Sequence, residues 1–275
     1  MDTSLKRVRL KQSRVTRPRR DALILLGMLL ASSMTAVAAD RYEGLAYAKD
    51  SGALAYRETH WLYEDEGRAA RLVVYSCPDG TPFARKHILV EQDAIAPDFD
   101  FLDARDGYAE GVRGDGDHRE VYWQLQRDVA AKRRRVEIGA NTVVDAGFDT
   151  LIRRRWDALE VGNVVTAAFL LPSHLDLLNI SIRKVAGATA ANEDAIRLRM
   201  KLDAWYGFAV PQTELVYRAS DRWLLRFDGI GSIRDDRGHN QAVRIEFPPG
   251  ALSSGVAREE IDEALAMPLN GRCRG

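Results

Sequence analysis

The chain has 275 residues, is 46% hydrophobic and 29% charged, and balances 40 basic against 40 acidic side chains. That length admits one large domain or two small ones, and the charge balance lacks the basic excess of a nucleic-acid binder. With only Cys77, Cys273 and five scattered histidines, neither a cysteine-rich scaffold nor a zinc motif of the His-Glu-x-x-His type is present.

Residues 1–39 read as a signal peptide. Lys6, Arg7, Arg9, Lys11, Arg14, Arg17, Arg19 and Arg20 form a basic start, residues 22–31 an apolar core, and Ala36-Val37-Ala38-Ala39 a small-residue cleavage site. The second half of the uncharged stretch is Ser, Thr and Ala, which favours cleavage over an uncleaved anchor helix. The reading places the protein in the periplasm, exported by the general route, with Arg19-Arg20 leaving the twin-arginine route open. Removing the leader's eight basic and two acidic residues leaves 32 basic against 38 acidic, a net charge of −6. In an oxidising compartment Cys77 and Cys273 can form a bridge, stay as thiols or bond between chains, and their spacing does not choose.

Along the mature chain the rhythm is mostly period two. Residues 41–48 and 53–64 are strand-like and are followed by Arg71–Cys77 and Phe83–Val90. The turns between them contain Lys49-Asp50-Ser51-Gly52, Asp65-Glu66-Gly67 and Pro78-Asp79-Gly80. Residues 97–117, rich in Asp and Gly, hold at most one short strand. Strands resume at 119–126 and 133–138. Phe148, Ile152, Trp156 and Leu159 then recur at helical spacing, with Asp145 as cap and Gly162 as stop. Period two returns at 164–171, 177–185 and 195–203, then at Leu215–Arg218, Trp223–Asp228 and Gln241–Phe247. A short helix is predicted over Arg258–Ala266, before Pro268. The expected fold is mainly β, a curved, half-barrel-like antiparallel sheet with one inserted helix at 146–161 and a short C-terminal helix. The division is a single β-rich domain over 40–250, with a C-terminal helix and loose tail over 251–275.

Several motifs resemble a family of uncharacterised exported proteobacterial proteins. They are Tyr42-Glu43-Gly44, Tyr75–Lys86, Gly147-Phe148-Asp149 with Arg154 and Trp156-Asp157, Trp205-Tyr206, and Phe227–Asp235. The resemblance spans nearly all of the mature chain and implies export and a β-rich body, but no activity. A curved sheet with a helix is also similar to periplasmic lipoprotein carriers, a likeness of fold alone.

The search for chemistry yields little. Ser181-Ile182-Arg183-Lys184 matches a serine–lysine motif, but it lies in a strand pattern, where positions three apart face opposite ways. Asp98, Asp100, Asp103 and Asp106 lack the spacing of a calcium loop. No catalytic residue, metal or cofactor is assigned. Glu58 and His60 share one strand face, Arg85 and His87 another, and if both point inward the four meet as a polar cluster. Arg154, Trp156, Trp205 and Tyr206 are candidate ligand-binding residues. The runs Lys132–Arg135 and Arg153–Arg155 are either anion contacts or solvated faces. The functional expectation is a periplasmic protein that binds a lipid-like ligand or an envelope partner and no nucleic acid. The alternatives are an enzyme using the polar cluster and an assembly factor with no pocket. Mass analysis of the protein taken from its cells should find an N-terminus at Ala39 or Asp40; an intact leader would refute the cleavage reading.

Overall fold

The computed structural model describes residues 39–114, 116–185, 194–202, 212–270 and 272–273. Residues 1–38 of the leader lie outside the described residues, and Ala39, its last residue, opens β1. The first meander comprises β1 (Ala39–Ala48), β2 (Leu54–Asp65), β3 (Arg68–Ser76), β4 (Pro82–Leu89), β5 (Asp98–Asp103), β6 (Tyr108–Arg113), β7 (His118–Gln124) and β8 (Lys132–Glu137). β9 (Thr142–Val144) leads into α1 (Gly147–Arg154) and α2 (Trp156–Glu160). The second meander is β10 (Val165–Leu171), β11 (Asp176–Lys184), β12 (Ala195–Leu202), β13 (Thr213–Arg218), β14 (Leu224–Arg234) and β15 (Asn240–Glu246). β16 (Ser253–Val256) and α3 (Arg258–Ala266) follow. The turns are built where the sequence places glycine: Gly67 has φ of 79° and Gly80 of 90°, left-handed values that a Cβ makes costly.

β1 pairs with β15, Leu45 opposite Glu246, and this one pairing joins the two meanders into a 16-stranded sheet. The pairings are antiparallel except β9 with β10, which is parallel. The expected curved, half-barrel-like sheet is therefore corrected to one large sheet that is open. Its strand path runs from β8 to β9 without those ends pairing. Neither end invites closure. β8 exposes Lys132 to Arg135 and buries only Val136, while β9 is three residues long. Two strands, β5 and β6, occupy the Asp- and Gly-rich stretch expected to hold at most one, and β16 was not expected.

The inserted helix is also corrected: it is two, broken at Arg155 (φ −102°, ψ 14°). Asp145 does not cap it; the N-cap is Ala146, and no side chain caps there. Gly147 is required, because a Cβ there would meet the Ile95 carbonyl oxygen at 1.9 Å. Leu151, Ile152, Trp156 and Leu159 pack with Ile180, Ile182, Leu198 and Tyr217 in one apolar cluster. The Trp156 ring meets Tyr217 edge to face at 5.9 Å. On the opposite side of the first meander α3 buries Ile261 and Ala264 against Trp61, Tyr63, Leu72 and Val74. The chain beyond it is tied twice: the Asn270 amide donates to the Pro82 carbonyl at 2.8 Å, and Cys77 and Cys273 form a disulfide.

Trp156→Ala should cost about 3–5 kcal/mol in urea unfolding, the range for emptying a large aromatic site. Arg153→Ala, which removes a half-exposed pair with Asp149 at 2.8 Å, should cost about 1 kcal/mol or less. Equal costs would mean that Trp156 does not anchor the helices. The bridge closes a loop across 196 positions of sequence. By chain entropy Cys273→Ser should lower stability by up to about 5 kcal/mol. Identical unfolding curves would show that the bridge does not hold the native state.

Candidate functional site

The face of β1–β4 turned towards the larger apolar cluster carries an unusual number of polar groups. In register, Tyr42 lies opposite His60, His60 opposite Val73, and Val73 opposite Lys86. Glu58 lies opposite Tyr75, and Tyr75 opposite Ala84. Glu58 and His60, two apart on β2, are each 7% exposed, and Glu58 Oε2 lies 3.0 Å from His60 Nε2. The His60 ring stacks on Tyr42 with centroids 4.4 Å apart and planes 7° from parallel. Burial lowers the His60 pKa below the ordinary histidine value, outweighing the hydrogen bond and charge of Glu58, which act the other way. A neutral ring has one N–H, and a carboxylate only accepts, so the proton sits on Nε2 and Nδ1 is an acceptor. Nδ1 is buried and has no hydrogen-bond partner among the described residues, and the same is true of the Tyr56 hydroxyl.

Arg71 shares this face, with Val73 and Tyr75 on β3. It makes no hydrogen bond or ion pair with the described residues. Burial opposes its charge, but Tyr42, Asp149, Asp145 and Tyr75 together outweigh it and raise its pKa. Lys86, 4% exposed, pairs with Asp145 at 2.5 Å and lies 3.4 Å from the Ser232 hydroxyl. Asp145 holds a left-handed φ of 42° to do so. One turn on, Asp149 accepts from the Tyr217 hydroxyl at 2.9 Å and from Arg153 at 2.8 Å. Glu110 accepts from the Tyr108 hydroxyl at 2.6 Å, and burial raises its pKa. Tyr42, Arg71 and Glu110 are ringed by protein yet keep partial solvent exposure. Chemically, the arrangement offers an arginine fork, a neutral imidazole acceptor and tyrosine hydroxyls beside the aromatic rings of Phe247 and Trp223.

The structure brings Glu58 and His60 together but places Arg85 and His87 on the other face. Arg85 lies opposite Val74 and His87 opposite Leu72, both in the cluster under α3. Arg85 donates to the Met267 carbonyl, and His87 lies 2.8 Å from the Tyr63 hydroxyl, its pKa lowered by burial. The cause is a register shift after Tyr75, which takes Phe83 out of the alternation, so Lys86 faces inward instead of its neighbours. Arg71 and Lys86 are the residues that sequence reasoning missed. Arg154 is half-exposed, pairs with Asp93 at 2.9 Å and lines a hollow of about 190 Å³ with Ile95, Val143 and Leu151. Trp156 lies beneath, 4% exposed, so the two do not share a surface. Trp205 and Tyr206 lie outside the described residues. Arg133, Arg134 and Arg135 border a hollow of about 350 Å³ with Arg113 and His118. Arg133 pairs there with Glu120, and Arg134 with Asp176 at 3.2 Å. Ser181 and Lys184 lie on β11, in the strand context that speaks against a serine–lysine site. Among the described residues no helix is long and apolar enough to cross a membrane.

No family model and no curated protein matches the chain. Among solved structures it is similar to a β-barrel-like protein of a domain of unknown function, DUF1849, from Brucella abortus. The identity is 7% and the TM-score 0.45, over 80% of this chain and 98% of that one. The likeness to lipoprotein carriers rested on a curved sheet, and with the sheet open that analogy loses its footing.

Proposed function

We propose that the chain is an exported envelope protein that binds an amphipathic small molecule on the inward face of β1–β4. The observation that carries this is the pair of buried atoms, His60 Nδ1 and the Tyr56 hydroxyl, that have no partner among the described residues, on the sheet face that also carries Arg71. A buried polar group left without a partner costs about 1–3 kcal/mol, and a ligand that supplies partners removes that cost. The rings of Tyr42, Trp223 and Phe247, with centroids 5.1 and 6.1 Å from Tyr42, supply the apolar side of such a site. The leader pattern supports export to the periplasm, and the Cys77–Cys273 bridge suits an oxidising compartment.

A second reading, an enzyme using the same cluster, has one observation in its favour. His60 is kept neutral by burial and oriented by Glu58, which is the arrangement of a general base.

Native mass spectrometry of wild type and His60→Phe, each taken from its own periplasm, tests the binding reading. A small-molecule adduct is expected on wild type and not on the variant. Bare wild type, with a melting temperature that decyl maltoside does not raise, would contradict it.

A further inference from the structure

We infer that the polar end of the ligand is an anion and that Arg71 is the group that grips it. This rests on the binding reading above and adds the charge of the ligand to it. Glu58 and Glu110 on the inward face, and Asp145 and Asp149 at α1, are each already committed. Glu58 holds His60 at 3.0 Å, and Asp145 holds Lys86 at 2.5 Å. Asp149 takes Arg153 and the Tyr217 hydroxyl, and Glu110 takes the Tyr108 hydroxyl. Lys86 is likewise spent on Asp145. Arg71 alone among these charged groups has no hydrogen bond with the described residues, and Asp145 and Asp149 act on it only through space.

A guanidinium presents five N–H donors in a planar fork that fits a carboxylate or a phosphate with two parallel bonds. Ringed by protein and still partly reached by solvent, Arg71 is placed to meet such a group rather than another side chain. A cation would instead compete with Lys86, Arg153 and Arg71 for acids that are already bonded. His60 Nδ1, an acceptor, suits a hydroxyl or amide N–H beside the anionic group. The apolar part of the ligand then lies along the rings of Phe247 and Trp223.

Titration calorimetry of the full mature protein, with its disulfide intact, against three ten-carbon probes tests this. Decanoate should bind more tightly than decyl maltoside, and decyltrimethylammonium most weakly. Arg71→Gln should weaken decanoate by about tenfold or more, the value of a lost charge-assisted bond, and leave decyl maltoside unchanged. Arg135→Gln, on the exposed edge strand, should change neither. Equal binding of all three probes to wild type overturns the anion assignment and leaves the binding reading standing, whatever the folding of the variant. Tighter binding of the cation overturns it as well. If no probe binds, the binding reading fails and this assignment with it. An inorganic-phosphate arm separates the sources of the anion: phosphate that displaces decanoate points to a phosphorylated ligand, and phosphate that does not points to a carboxylate.

Discussion

A lysine buried inside a sheet must find a carboxylate, and Lys86 finds Asp145. Removing one partner of such a pair leaves an uncompensated charge in the interior, at a cost of about 3–5 kcal/mol. The pair at 2.5 Å therefore fixes the residue from which α1 departs directly over β4. Gly147 lets the chain close on Ile95 there, and Asp149, one turn on, reaches Tyr217 of β13. This buried ion pair, with the half-exposed Arg154–Asp93 pair beside it, ties the first meander to the helix, and the helix packs on the second. Arg71 is the by-product: the acids that come with α1 hold its charge without bonding it.

Much of the architecture was legible in the sequence. Period-two runs bounded by Asp-Gly turns located most of the strands, and the stripe Ile152, Trp156 and Leu159 located the helices. The C-terminal helix matches its predicted span, Arg258–Ala266. Strand order was not legible, because hydrophobic alternation says which face is buried and not which strand lies next to which. The open path of the sheet, and so the error of a half-barrel, belongs to that gap. β5 and β6 were hidden because their inward residues include Asp103, Tyr108 and Glu110, which weaken the alternation.

The candidate site was half legible for a related reason. Reading β2 as having one wet face made Glu58 and His60 compete for burial with Trp61 and Tyr63. Both sets are buried, since the sheet is covered on each side: by α3 at Trp61 and by the large apolar cluster at Tyr56. The single-residue shift after Tyr75 then exchanged Lys86 for Arg85 and His87. Local pattern cannot show a bulge, and a bulge reverses every side chain beyond it.

The inward face is a site only if its neutral imidazole is open to an occupant. Nitrogen-15 resonances of the His60 ring measure this most directly. The account predicts a ring protonated only on Nε2 at pH 7, with burial holding its titration below the ordinary histidine range, and an Nδ1 signal that moves when decanoate is added. A ring that titrates as an ordinary exposed histidine, or an Nδ1 signal that saturating decanoate leaves in place, would contradict it.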